Sequence, residues 1–136
     1  MFSQKRLLYF ELLRKIVYAK EGMIISMSVR ALRGATTIDN NKHEDIMYET
    51  KNLLIKIMEI NNINKDDIIS VIFSTTKDVN AAFPAAAARE MGWSDIPLMC
   101  TNEMDVPGSL QKCIRILLYI NTSKTNLEMK HVYLRE

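Results

Sequence analysis

The sequence predicts an α+β fold in which a mixed β-sheet carries helices packed on one face. Short apolar runs rich in β-branched residues alternate with segments in which apolar residues recur at helical spacing. The predicted order is strand, helix, strand, short helix and then strands, with no internal repeats. A chain of 136 residues is long enough to form one such domain around its own core.

Composition excludes several classes of partner. Hydrophobic residues make up 48% and charged residues 25% of the chain, and no apolar run approaches the ~20 residues of a membrane span. The net charge of +2 is too small to indicate nucleic-acid binding. Cys100 and Cys113 lack metal-ligand spacing and favour a reduced, cytoplasmic context over a disulfide framework. We therefore expect no nucleic acid, membrane or metal partner.

Residues 1–26 differ from the rest of the chain. Basic and apolar side chains interleave there at roughly helical spacing, which predicts a basic amphipathic extension. A membrane-surface or targeting helix is one interpretation, although Glu11 and Glu21 argue against an organellar transit peptide. An appended helix, or translated sequence ahead of a start at Met23 or Met27, is the other. We place 1–26 outside the main domain, which we assign to 27–136.

Within that domain the elements follow in order. Residues 29–33 read as a first strand closed at Gly34, where a glycine permits a sharp turn or a ligand's close approach. Apolar residues recurring from 46 to 58 predict a long amphipathic helix, and the run 68–74 a second, buried strand.

The second half of the domain continues the alternation of strands and helices. Pro84, an alanine run and Gly92 predict the start, body and end of a short helix. Strands are then predicted at 96–100, where Pro97 suggests a sheet edge, at 114–120, and at 130–134.

Arg115 is the unusual residue of the strand at 114–120. A charge among aliphatic residues in a protein interior costs several kcal/mol unless a negative group meets it. The partner is either a carboxylate of the protein or an anionic ligand. Arg33 and Arg89 also lie near element ends, where they outnumber the acids Glu103 and Asp105. Guanidinium groups pair bidentately with carboxylates, which suggests a ligand with more than one, although solvation or an internal salt bridge would explain any single arginine.

Five motifs make the domain recognisable: RGATT at 33–37, FPA at 83–85 with Ala87 and RE at 89–90, EMDV at 103–106, KCIR at 112–115 and HVYL at 131–134. In this order and near this spacing they resemble the trimeric, monofunctional bacterial chorismate mutases. The resemblance implies a homotrimer that forms a pseudo-α/β barrel with active sites between subunits. It also implies the Claisen rearrangement of chorismate to prephenate in phenylalanine and tyrosine biosynthesis, without metal, cofactor or covalent intermediate.

The resemblance also assigns roles to residues. Arg115 would hydrogen-bond the ether oxygen of chorismate, Glu103 would accept from the ring hydroxyl and orient Arg115, and Arg33 and Tyr133 would bind carboxylate. Cys100 would lie near the same hydroxyl.

The adjacent subunit would supply Phe83 as an apolar wall and Arg89 as an interface charge, and Ala85 joins the substrate-binding set. Taken singly, Tyr133, Cys100 and Phe83 also fit plain structural roles. His131 receives no catalytic role because a concerted rearrangement needs no proton transfer.

Two departures from the family bear on affinity. Ala86 stands where relatives often carry a lysine, and relatives continue past the position of Glu136 into a tail with a further arginine. We therefore expect weaker substrate binding or cleft closure. Two other functions stay open at this point: a non-catalytic trimer that binds a small carboxylate metabolite, and an imine deaminase, for which only Glu103 could position water. Neither requires Arg115 and Glu103 together.

Overall fold

The computed structural model describes residues 16–20 and 23–135, which contain seven strands and two α-helices. In chain order these are β1 (Ile16–Lys20), β2 (Met23–Ser26), β3 (Ser28–Thr37), α1 (His43–Asn61), β4 (Ile68–Thr75), α2 (Pro84–Glu90), β5 (Leu98–Asn102), β6 (Cys113–Thr122) and β7 (Val132–Tyr133). Short 3₁₀ turns at Lys65–Asp67 and Asn126–Glu128 precede β4 and β7. No helix in the described part of the chain is both long and apolar enough to cross a membrane.

Five strands form one mixed sheet in the order β5-β4-β6-β3-β7. The central strand β6 runs antiparallel to both β3 and β4, whereas β5 is parallel to β4 and β7 is parallel to β3. This arrangement confirms the predicted mixed sheet. Strand β5 begins directly after Pro97 and lies at an edge, where a proline costs no interior ladder bond.

The hydrophobic core lies between this sheet and the two helices. Alternate residues of β6, from Ile114 to Ile120, are at most 3% exposed, while the residues between them are partly exposed. Leu53, Leu54 and Ile57 of α1 belong to the same buried cluster as Leu32 of β3 and Phe73 of β4. The helices therefore cover one face of the sheet, as predicted.

Gly34 corrects one expectation. The predicted turn is absent, and β3 continues through Gly34 to Thr37. A Cβ at this position would lie 2.7 Å from Ile57 Cδ1 and 3.2 Å from Leu53 Cδ1. The glycine thus permits the close approach of α1 to the strand, and no turn explains it.

The N-terminal extension is also corrected where it is described. β1 and β2 pair antiparallel as a separate two-stranded sheet, so residues 16–20 and 23–26 are not helical. Ile16, Val17, Ile24 and Ile25 are β-branched residues that favour strands, and mutual pairing satisfies their backbones. The prediction for residues 1–15 lies outside the described residues.

Candidate active site

Arg115 lies on the sheet face opposite the helices. Side chains alternate along a strand, so Arg115 points away from the buried Ile114 and Ile116 on either side of it. Its side chain is 39% exposed, which corrects the expectation of a buried charge. In register, its neighbours on the flanking strands are the small residues Ala35 and Ser74, which leave room above the sheet.

The carboxylate of Glu103 faces this arginine. Glu103 Oε2 lies 3.3 Å from Arg115 Nε, although the pair lacks the alignment of a hydrogen bond. Glu103 is itself held in place: its backbone N–H donates to Thr75 O at 2.8 Å, and Ser74 Oγ donates to Oε2 at 3.5 Å. Arg115 Nε is shielded from solvent and has no hydrogen-bond partner among the described residues. The guanidinium therefore has an electrostatic partner on its Nε side.

Two further predicted residues share a cavity with this pair. We call it the arginine cleft: a cavity of about 400 Å³ whose polar lining consists of Arg33, Ser74, Glu103, Arg115 and Tyr133. Arg33 reaches it from β3 and Tyr133, 48% exposed, from β7. Two arginines against one carboxylate give the cleft a net positive charge that suits an anionic ligand.

The other predicted residues form a second group. We call its cavity, of about 390 Å³, the phenylalanine pocket; Phe83, Pro84, Cys100, Thr101 and Asn102 are among its lining residues. Phe83 precedes α2 and is 71% exposed, while Ala85 in the first turn of that helix is buried.

Cys100 belongs to this second group. It pairs in register with Phe73, which in turn pairs with Ile116, so Cys100 lies on the helix-covered face, opposite Arg115. Burial raises the pKa of its thiol, against the opposing effects of the Ala85 N–H and the charge of Arg89. Within one chain Cys100 thus accompanies Phe83, Ala85 and Arg89. Cys100 does not line the arginine cleft of its own chain, and its expected place near the substrate hydroxyl stays a prediction.

Three supporting residues were not predicted. Ser74 donates to Glu103, His131 Nδ1 accepts the backbone N–H of Arg33 at 3.0 Å, and Asp78 accepts the backbone N–H of Lys112 at 2.9 Å beside the start of β6. Ser74 could have been found from the alternation of side chains along β4, which places it on the outward face of the sheet. His131 lies inside the HVYL motif, but the residue it contacts is 98 positions away.

Asp105, the second acid named with Glu103 in the sequence, pairs with Lys77 at 2.5 Å across the exposed loops next to Glu103. These loops line a third cavity of about 240 Å³ that adjoins the arginine cleft through Glu103. Asp105 does not line the arginine cleft. This placement agrees with a structural role.

Known proteins resemble the chain over most of its length. Residues 29–136 match the family described as chorismate mutase type I. Chorismate mutase AroH of Bacillus subtilis (strain 168) is 42% identical over 111 residues, which cover 81% of this chain and 87% of the relative. Its namesake of Thermus thermophilus is 43% identical over 109 residues, 79% of this chain and 89% of the relative. A solved chorismate mutase from Clostridium thermocellum has a TM-score of 0.76 and 55% identity, covering 77% of this chain and 94% of that one.

Proposed function

The chain belongs to the chorismate mutase type I family and is a chorismate mutase, an isomerase of aromatic amino acid biosynthesis, and we propose that its arginine cleft carries out the rearrangement of chorismate to prephenate. One observation carries this proposal: the partly exposed guanidinium of Arg115, 3.3 Å from Glu103, lies in a cleft that also holds Arg33 and Tyr133. The similarities lend no support to a non-catalytic metabolite-binding protein.

Arg115 supplies the electrostatic part of the mechanism. As the carbon–oxygen bond of chorismate breaks ahead of carbon–carbon bond formation, the ether oxygen gains negative charge. A fixed guanidinium beside that oxygen stabilises the transition state more than the ground state. The terminal N–H groups of Arg115 are the donors available for this oxygen, since the side chain is 39% exposed whereas Nε is shielded from solvent and faces Glu103. The electrons move within the substrate, so the step needs no proton transfer and no covalent intermediate.

Glu103 keeps that donor in position. Its carboxylate lies 3.3 Å from Arg115 Nε and is fixed in turn by Ser74 Oγ and by the N–H of Met104. The pair restrains the guanidinium from its Nε side and leaves its terminal N–H groups to the substrate. A free lone pair on Glu103 accepts from the ring hydroxyl of the substrate.

Arg33 and Tyr133 supply binding and orientation. Both line the arginine cleft and lie on neighbouring parallel strands, so they meet a carboxylate of chorismate from one side. Losing one well-placed donor typically costs roughly 2.7–4 kcal/mol, whereas even modest enzymic acceleration needs about 8 kcal/mol. Holding the enolpyruvyl side chain over the ring supplies the remainder.

We further propose a homotrimer with a pseudo-α/β barrel in which a neighbouring subunit closes each arginine cleft. Phe83 and Cys100 line the phenylalanine pocket, and neither they nor Ala85 and Arg89 line the arginine cleft of the same chain, which supports their approach to a cleft from another copy. Exposed apolar side chains favour such an assembly, since monomers rarely leave large apolar patches uncovered. Those exposed by more than half include Phe83, Met99, Met104, Val106 and Leu110.

A cytoplasmic location is part of the proposal. It is supported by the biosynthetic reaction and by the two cysteines, Cys100 and Cys113, which are both free thiols. Chorismate and prephenate are the small-molecule partners.

The assay that tests the proposed function follows the loss of chorismate absorbance with purified protein dialysed against a chelator. We expect acceleration over buffer without added metal or cofactor. Replacing Arg115 by alanine should abolish most of it, whereas Arg30→Ala is the matched control, because Arg30 is on β3 outside the cleft and donates to Lys124 O. Wild-type protein that leaves chorismate at the buffer rate would refute the proposal.

A further inference from the structure

Strand β7 is short but holds a residue proposed to bind substrate. It comprises only Val132 and Tyr133, lies at the sheet edge, and carries Tyr133 into the arginine cleft. Side chains alternate along a strand, so a slip of one residue against β3 would turn Tyr133 towards the opposite face. The register of β7 against β3 therefore decides whether Tyr133 faces the arginine cleft.

Contacts on both sides of β7 support that register: Asn61 bonds both backbone groups of Lys130, and Thr37 Oγ1 donates to Arg135 O. Gly34 and Ala35 of β3 pair with Val132 and Tyr133, and the N–H of Leu134 donates to Ala35 O at 2.9 Å. On the other side of this pairing, the N–H of Arg33 donates to His131 Nδ1 at 3.0 Å, where continued strand pairing would offer a backbone carbonyl. An imidazole thus takes one place in the ladder between β3 and β7.

This contact joins the two residues proposed to bind substrate carboxylate. Arg33 is itself the donor, and Tyr133 follows His131 by two residues on the strand that the contact pins. An imidazole nitrogen accepts a hydrogen bond only when it is unprotonated, so the ring hydrogen of a neutral His131 is on Nε2. Among other side chains, the amide oxygen of asparagine is the acceptor of nearest reach to Nδ1.

We propose that His131 is a positioning residue for substrate binding: its Nδ1 completes the contacts that fix the register of β7 on β3 and thereby sets the spacing of Arg33 and Tyr133 across the cleft. The proposal rests on the proposed function, in which both residues bind chorismate. It gives His131 no part in proton transfer. Its effect is therefore expected in KM more than in kcat.

Two substitutions of His131 separate its acceptor from its bulk. His131→Leu should raise KM for chorismate about three- to tenfold, the range expected for one lost hydrogen bond, with a smaller change in kcat. His131→Asn should restore most of the loss because its amide oxygen can accept from Arg33. His43→Leu, at the other histidine and on the exposed start of α1, should leave KM unchanged. An Asn variant as impaired as the Leu variant would overturn the acceptor role.

A double-mutant cycle with Tyr133→Phe shows whether His131 acts through the cleft. His131→Leu should cost less in the Tyr133→Phe background than in the wild type, because the positioned hydroxyl is already gone. Full additivity would overturn the proposal. Arg33→Ala and Tyr133→Phe alone test the proposed function: if neither raises KM, those roles fail. If both do and His131→Leu does not, only the role of His131 fails.

A measurement on the unaltered enzyme covers the case in which His131→Leu does not fold. Nitrogen-15 NMR at neutral pH should show Nδ1 of His131 unprotonated and Nε2 protonated, with a coupling from Nδ1 to the amide of Arg33. A protonated Nδ1, or an imidazole with no coupling to that amide, would overturn the proposal.

Discussion

Arg115 owes its proposed role to the way in which Glu103 holds its guanidinium. A guanidinium has five N–H donors, so a single carboxylate partner restrains it and still leaves donors for a substrate, whereas a guanidinium without a partner would be mobile. Here Glu103 Oε2 lies 3.3 Å from Nε without the geometry of a hydrogen bond, and Nε has no other partner among the described residues. The side chain is restrained yet retains a donor for the developing charge.

Arg115→Lys tests whether that donor geometry matters. An ammonium keeps the charge but loses the planar fork, so we expect kcat to fall about 10²- to 10³-fold with a smaller rise in KM. The matched control is Arg30→Lys on β3, which should keep both constants near wild type. Steady-state kinetics with chorismate measure both variants. An unchanged kcat in Arg115→Lys would move transition-state stabilisation to another group.

The sequence motifs contained the residues Arg33, Glu103, Arg115 and Tyr133 that share the cleft, but they did not show how exposed these residues are or what they contact. The apolar run around Arg115 predicted a strand correctly but suggested burial, because Leu117 and Tyr119 make its outer face look like a second core face. One chain cannot tell whether a neighbour covers that face. The contact of His131 with Arg33 was missed because it joins residues 98 positions apart, and no local spacing encodes it.

The start of β6, two residues before Arg115, is held by a group of side-chain hydrogen bonds that we call the clasp. Asp78 accepts the backbone N–H of Lys112 at 2.9 Å and the hydroxyl of Thr76 at 2.5 Å, and Thr76 Oγ1 accepts the N–H of Cys113 at 2.9 Å. Burial tends to raise the pKa of Asp78, but the hydrogen bonds from Thr76 and Lys112 outweigh it and hold the pKa below the ordinary 3.8. Lys112 itself has a φ of 49°, a conformation uncommon for lysine, which the clasp helps to maintain.

Because the pKa of Asp78 is lowered by folding, its carboxylate stabilises the native state above pH 3.8, and this contribution is lost as the pH falls through the folded pKa. Asp78→Asn should therefore lower the free energy of unfolding by about 1–2 kcal/mol at pH 7. The difference from wild type should shrink as the pH falls below 3.8. Urea unfolding between pH 3 and 7 measures it.

Asp66→Asn is the control for this experiment. Asp66 is exposed in the 3₁₀ turn before β4, so its substitution should leave the free energy of unfolding nearly unchanged at every pH. A difference between Asp78→Asn and wild type that stays constant down to pH 3 would show that the charge of Asp78 does not contribute.

The elements themselves were largely predictable from local pattern. Pro84 and Gly92 mark the start and end of α2, and α1 follows its apolar spacing to Asn61. Gly34 was misread as a turn because only packing against Ile57 reveals why a side chain is excluded. The helical prediction for 16–20 and 23–26 was wrong because short segments fit both periods, and their pairing as β1 and β2 is a tertiary property.

For the molecule as a whole, the distribution of site residues argues for assembly. The arginine cleft holds the charged groups and the phenylalanine pocket the apolar wall, and they are separate cavities of one chain. A small dianion needs both charge and confinement to reach its reactive shape. Exposure of Phe83 at 71% and Met104 at 77% is costly for an isolated subunit, and burial against a neighbour would offset it.

A mixing experiment tests the shared site directly. Arg115→Ala removes the transition-state donor and Arg89→Ala the interface charge proposed to come from the neighbour, so each homotrimer should lose most of its activity. When the two chains are unfolded together and reassembled, some interfaces should combine an intact cleft with an intact Arg89. In a random trimer one quarter of interfaces have this composition by simple probability, so activity should recover to at most about a quarter of wild type.

The double variant Arg89→Ala with Arg115→Ala, mixed with wild-type chains, gives the reference for subunit exchange. If mixed trimers form, as native mass spectrometry of tagged chains would reveal, and activity does not recover, both residues serve the same subunit's cleft and the shared-site proposal fails.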